Sequence, residues 1–105
     1  MDVNMHAHNV FFTLKDKSSS AVDRFIADSQ TYLAVLPGII SFQCGIRERK
    51  LNREVNDLDF DVSLHVLFEN KEMHDSYQKA SSHDDFVSRN SDNWAKVRVF
   101  DTETK

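Results

Sequence analysis

The sequence predicts an α+β domain with one four-stranded antiparallel sheet and helices on one of its faces. Three observations carry this. Residues 58–70, LDFDVSLHVLFEN, place Phe60, Val62, Leu64, Val66 and Phe68 at alternate positions, with Asp59, Asp61, Ser63 and His65 between them. Successive side chains of a strand point to opposite faces, so this segment has one apolar and one polar face. Along the whole chain, segments of period two and of helical spacing follow the order strand, helix, strand, strand, helix, strand. Each strand–helix–strand crossover is right-handed by strong preference. The compact solution is a ferredoxin-like βαββαβ sheet, with the first and third strands central and both helices covering one face.

Each element has a local reason. Residues 1–7 read as a short mobile lead-in. Residues 8–14, HNVFFTL, are largely β-branched or aromatic and form the first strand. Ser20 and Asp23 resemble a capping box, and Val22, Phe25, Ile26, Leu33 and Leu36 follow helical spacing, so the first helix is expected over 19–36. Pro37 and Gly38 end it. Residues 39–47 alternate again, with Ile40, Phe42, Cys44 and Ile46 on the apolar face. The charged, aperiodic stretch 48–57 connects this second strand to the third. Asn70 is an N-cap and Glu72 suits the first turn of a second helix carrying Met73, Tyr77 and Ala80. Ser82 with Asp85 resembles a second capping box, opening a further helical turn over 83–89. Residues 90–93 are turn material, 94–101 form the fourth strand, and 102–105 are an expected loose tail.

This register puts Val10, Phe12, Phe42, Val62, Leu64, Val66, Val97 and Val99 under the helices. The opposite face mixes Phe11, Leu67 and Phe100 with Asn9, Gln43, Asp61, Ser63, His65, Lys96 and Arg98. A half-apolar face left open is a surface that a second copy of the chain would cover. A domain of 105 residues buries a modest core, so burial between subunits would help it.

Composition narrows the function classes. With 17 acidic and 13 basic residues the formal charge is −4, and no basic run offers a footprint for nucleic acid. No apolar stretch reaches the ~20 residues of a membrane span. The start lacks the pattern of a signal peptide, and the single cysteine, Cys44, excludes an intrachain disulfide. The expectation is a cytoplasmic protein with neither a nucleic-acid nor a membrane partner. Cys44 reads as a core thiol, since no helix start or basic neighbour would lower its pKa. Trp94 reads as an apolar anchor for the last strand.

The segments HNVFFTL, LPGI, FDVSLHVLF, YQKASSHDDFV and WAKVRVFD, in this order, resemble the stress-responsive A/B barrel (Dabb) family over residues 8–101. The resemblance implies a homodimeric α/β barrel in which two ferredoxin-like sheets meet by their open faces. It also implies a pocket between helices and sheet. One branch of the family closes polyketide chains by aldol condensation, and the larger superfamily holds monooxygenases and haem-degrading enzymes. That cyclase branch carries a tyrosine and a histidine at the spacing of Tyr77 and His83, and a histidine at the place of His8. His83 would then be the base, Tyr77 its partner through the hydroxyl, and His8 auxiliary. Phe25, Val62, Leu64 and Trp94 would line the pocket for a small-molecule ligand. Three positions depart from the branch: Val62, Ser29 and Ala80 stand where it has polar or ionisable groups.

Three readings follow: a small-molecule-binding barrel, a cofactor-independent cyclase or lyase using the Tyr77–His83 pair, or a structural, oligomerising stress protein. In the structural reading His83 pins its loop, Tyr77 packs, and His8 is a satisfied strand-end histidine. Asp61, Ser63 and His65 on one strand face suggest either a polar site or a dimer interface, with Asp61 paired to Lys96 or Arg98. One strand does not supply the three or four converging ligands of a metal site. His6 and His8 have nonspecific spacing, so neither metal nor cofactor is assigned.

Overall fold

The computed structural model describes residues 4–105. The expected lead-in is therefore described from residue 4, and residues 1–3 lie outside the described residues. The strands are β1 (His6–Leu14), β2 (Ile39–Ile46), β3 (Val62–Phe68) and β4 (Trp94–Glu103). The helices are α1 (Ser19–Tyr32), α2 (Lys71–Lys79) and α3 (Ser81–Asn90), and a 3₁₀ turn covers Ser91–Asn93. All pairings are antiparallel and the sheet order is β2-β3-β1-β4, so β1 and β3 are central as the sequence predicts. The ferredoxin-like α+β fold is the observed one.

The core lies between the sheet and the helices. Val10, Phe12 and Leu14 of β1 and Val62, Leu64, Val66 and Phe68 of β3 meet Phe25 and Leu33 from the α1 segment, Tyr77 of α2 and Phe86 of α3. Phe25 bridges Phe12 and Phe86, with ring centroids 4.8 Å and 5.4 Å away. Full burial of such side chains stabilises by about 1.5–3 kcal/mol each.

The structure corrects several boundaries. Strand β1 begins at His6 and β4 runs to Glu103, because His6 pairs with Glu103 and Ala7 with Thr102. Part of both the expected lead-in and the expected tail is thus sheet. Helix α1 ends at Tyr32 rather than Leu36. The N–H groups of Leu33 and Ala34 both donate to the Ser29 carbonyl, and the residue before Pro37 is disfavoured in helical backbone. The α1 cap is Ser18, whose hydroxyl accepts from the Ala21 N–H at 3.3 Å, not the Ser20–Asp23 box. Helix α3 has no side-chain cap, so the Ser82–Asp85 box is also absent; the Ser82 hydroxyl donates to the Tyr32 carbonyl instead.

Strand β3 begins only at Val62. Before it, Asp61 accepts from the Leu14 N–H at 2.8 Å and from Lys17 at 2.7 Å, not from Lys96 or Arg98. Lys96 pairs with Asp59 and Arg98 with Asp57. Phe60, expected beside Val62, turns to the open face, where its ring lies 5.0 Å from Phe11. In β2 a register shift between Ile39 and Ser41 puts Ile40 outside, while Phe42 and Cys44 pack on the core. Val97 and Val99, expected under the helices, pair with Phe12 and Val10 but sit on an edge strand beyond the helices, 40% and 51% exposed.

Asp28 joins α1 to α3. It accepts from Arg89 Nε at 3.0 Å and from Asn90 Nδ2 at 3.1 Å. Burial works to raise its pKa, but the bonds from Arg89 and Asn90 outweigh this and hold it below the usual carboxylate value. A carboxyl lowered in the folded state stabilises the fold above its unfolded pKa of about 3.9 and stops doing so as pH falls through the folded value. Asp28→Ala is expected to cost about 1–3 kcal/mol in urea unfolding near neutral pH, with the difference shrinking in strong acid. Gly38 has φ +85°, and a Cβ there would run into the Met73 side chain. Gly38→Ala should cost more than about 1 kcal/mol, read in the same assay.

Candidate functional site

Three elements converge on a cleft at one end of the core. His8 comes from β1, Tyr77 from α2 and His83 from the first turn of α3. Helix α2 is fixed by Asn70, whose side chain accepts from the Met73 N–H at 2.9 Å, with Glu72 in the first turn and Lys79 in the last. Ala80, with φ −67° and ψ 142°, ends α2 and starts α3. This single extended residue folds the chain back, so the His83 ring meets Tyr77 edge-on at 5.1 Å between centroids. The His8 ring lies 6.0 Å from that of Tyr77.

The cleft has a volume of about 160 Å³. His8, Tyr77, Gln78 and His83 give it a polar side, and Leu64, Trp94, Val97 and Val99 are among its apolar walls. The structure thus brings together His8, Tyr77, His83, Leu64 and Trp94. Phe25 and Val62 are not in the wall. Phe25 is enclosed by Phe12 and Phe86, and Val62 is fully buried. No hydrogen bond joins Tyr77 to His83; they touch through ring faces and edges. The Trp94 Nε1 is buried without a hydrogen-bond partner.

Burial sets the electrostatics. It lowers the pKa of His83, so the imidazole is neutral with a free lone pair at neutral pH. Burial raises the Tyr77 phenol far above its ordinary value, so it remains an O–H donor. Burial also lowers His8, against the opposing pull of Asp101, whose Oδ1 lies 2.6 Å from His8 Nδ1. With Nδ1–H donating to Asp101, the lone pair is on Nε2, where the Gln78 amide approaches at 3.4 Å. Cys44 is half-buried and its thiol is pushed up by that burial, as suits a packing residue.

Beyond His8 lies a cluster that sequence spacing did not reveal. His6, His8, His74 and Asp101 each bring one possible ligand atom to within 4.8 Å of the others. His6 and His8 share a face of β1, which alternation shows, but His74 and Asp101 arrive from α2 and β4. On the open face the expected trio is divided. His65 Nδ1 pairs with Asn9 Oδ1 at 2.8 Å and Nε2 with Ser63 Oγ at 3.0 Å, while Asp61 turns toward Lys17. Phe11, Phe60 and Phe100 form an aromatic patch there, around a hollow of about 260 Å³.

The profile of the stress responsive A/B barrel domain matches residues 7–104. The chain belongs to this family. A Dabb protein with a ferredoxin-like fold from Mesorhizobium loti superposes with a TM-score of 0.77 at 25% identity, covering 94% of this chain and 95% of that one. A dimeric ferredoxin-like protein of unknown function from Thermobifida fusca gives 0.79 at 12% identity, covering 98% and 93%. Hydroxynitrile lyase from Passiflora edulis gives 0.77 at 18% identity, covering 96% and 94%. At those last two identities the likeness is one of fold. Comparison with curated proteins finds no match. Among the described residues of this Dabb chain, no helix is long and apolar enough to cross a membrane.

The chain has two tyrosines. In an absorbance titration of the folded protein, one phenol should stay un-ionised well past pH ~10, the ordinary tyrosine value. Tyr77→Phe should remove that lagging phenol. If the variant leaves the lag in place, the assignment of the buried phenol to Tyr77 fails.

Proposed function

We propose that this chain, as one Dabb domain over residues 1–105, forms a homodimer in the cytoplasm. Each subunit binds a small, carbonyl-bearing molecule in the cleft between the sheet and helices α2 and α3. The observation that carries this is the convergence of His8, Tyr77 and His83, with Gln78, on one cleft whose other walls are apolar. A few polar groups among apolar walls is the usual make-up of a small-molecule site. The volume of about 160 Å³ is small beside the ~300–1,000 Å³ of sites for drug-sized ligands. It suits a short ketone or aldehyde, or one end of a longer molecule whose remainder lies over Val97 and Val99. The Tyr77 hydroxyl is the donor for its carbonyl oxygen.

The dimer rests on the open face. Phe100 is half exposed beside Phe11 and Phe60, and burying this patch against a second copy removes it from water. Proteins of this fold are described as dimeric. A proton-transfer role is favoured by the edge-on packing of the His83 ring against that of Tyr77 in the cleft, where burial disfavours the charged form of each. His83 would take a proton from carbon next to the carbonyl while Tyr77 donates to the developing enolate oxygen. A protein of this fold acts as a hydroxynitrile lyase, so the scaffold accommodates lyase chemistry.

Light scattering at micromolar concentration should give a dimer; a monomer would remove the barrel. Trp94 is the sole tryptophan and lines the cleft, so its fluorescence reports occupancy. Titration with a panel of small aryl ketones and aldehydes should change that emission, and Val97→Phe, which fills the cleft mouth, should abolish the change. No response to any member from an intact dimer counts against binding. His83→Ala should abolish proton exchange from a bound ketone with the melting temperature nearly unchanged. Under a structural role it would lower stability by about 1 kcal/mol and leave exchange untouched.

A further inference from the structure

We infer that His6, His8, His74 and Asp101 form a binding site for a divalent transition-metal ion of the zinc class, where β1, β4 and α2 meet. Three imidazoles surround one carboxylate oxygen. Asp101 Oδ1 lies 2.6 Å from His8 Nδ1, 3.0 Å from His6 Nε2 and 3.8 Å from His74 Nε2. Zinc bound tetrahedrally at about 2.0–2.1 Å holds its donors about 3.3 Å apart. The three separations straddle that value, so side-chain shifts of under about 1 Å would close four donors around an ion. The set of three imidazoles and a carboxylate suits zinc, cobalt or nickel better than magnesium or calcium, which take oxygen ligands.

The arrangement around His74 points the same way. Its Nδ1 is 3.1 Å from Asp75 Oδ1, and a ring N–H donated to that carboxylate fixes the tautomer, as a second carboxylate does for metal-bound histidines. The lone pair is then on Nε2, which is buried with no hydrogen-bond partner and faces Asp101. Two acceptors 3.8 Å apart repel, and a cation between them turns the repulsion into two bonds. The His6 and His74 rings lie 4.3 Å apart between centroids, and those of His8 and His74 4.8 Å apart. The histidine side chains are largely shielded, at 12%, 7% and 14% exposure for His6, His8 and His74, while Asp101 at 39% leaves an entry path. The site goes beyond the cleft. His8 belongs to both, with Nδ1 toward the cluster and Nε2 toward Gln78 in the cleft wall; on binding an ion through Nδ1 its ring proton moves to Nε2, where the Gln78 amide, turned over, accepts it.

The test is titration calorimetry of the chelator-treated full chain with Zn²⁺ alone at neutral pH, and visible absorption with Co²⁺ alone. One ion per chain and the intense visible bands of tetrahedral Co²⁺ are expected. His74→Ala, His6→Ala and Asp101→Asn should each weaken Zn²⁺ binding at least about tenfold, since loss of even an outer-shell partner costs about 10–100-fold. His65→Ala and His83→Ala, which alter the remaining histidines, should bind as the parent does. Circular dichroism confirms that each variant is folded, and His74→Gln serves where His74→Ala is not. Absence of stoichiometric binding, or equal binding by a folded His6→Ala/His74→Ala double variant, overturns the site. That double variant leaves the cleft walls in place, so its Trp94 response to ketones should persist. Loss of the metal site and loss of the cleft reading are thereby separable.

Discussion

The alternation of Val62, Leu64, Val66 and Phe68 under the helices is what the molecule depends on. These four side chains of β3 are between 0% and 3% exposed, and all belong to one core with residues of β1, α1, α2 and α3. Their burial fixes β3 between β1 and β2 and gives α2 and α3 a surface to lie on. It also decides the opposite face. With those four inward, Ser63 and His65 must point outward, where Asn9 completes a hydrogen-bonded row with them. A slip of one residue would exchange the two sets, so register here is specified by the cost of burying a row of polar groups.

The cleft is a consequence of the same register. His8 lies directly opposite Asp101 in the β1–β4 ladder and opposite Val66 in the β1–β3 ladder. One neighbour orients its ring and the other walls it from water. Tyr77 and His83 need no long-range pairing to meet, because the bend at Ala80 brings them together locally. The site thus combines a stiff half, set by strand pairing, with a half set by one helix-to-helix joint.

Much of this was legible in the sequence because period two and period 3.6 are local properties. Those patterns mark out the elements, and their order with the right-handed crossover puts β1 and β3 at the centre, whereas the pairing of Tyr77 with His83 was implied only by the family resemblance. What escaped was decided at a distance. Asp61 turned to Lys17 and the Leu14 N–H, leaving Lys96 and Arg98 to the two earlier aspartates, and Phe60 left the strand pattern with that turn. Ile40 moved outward because β2 carries a register shift that alternation does not announce. The extra sheet pairs at His6 and Glu103 placed a histidine beside Asp101, and His74, one polar residue among several on α2, gains meaning only from what faces it.

Val97 and Val99 carry a different lesson. They belong to the cleft wall, yet they sit on an edge strand and remain 40% and 51% exposed. Replacing either removes only about half a side chain of buried surface, so folding free energy changes less than at a core position, while the volume and polarity of the cleft change directly. Selection can therefore vary the shape of the cleft without trespassing on the core. A scaffold with that separation is evolvable: the lining of its cleft can change while its architecture stays put.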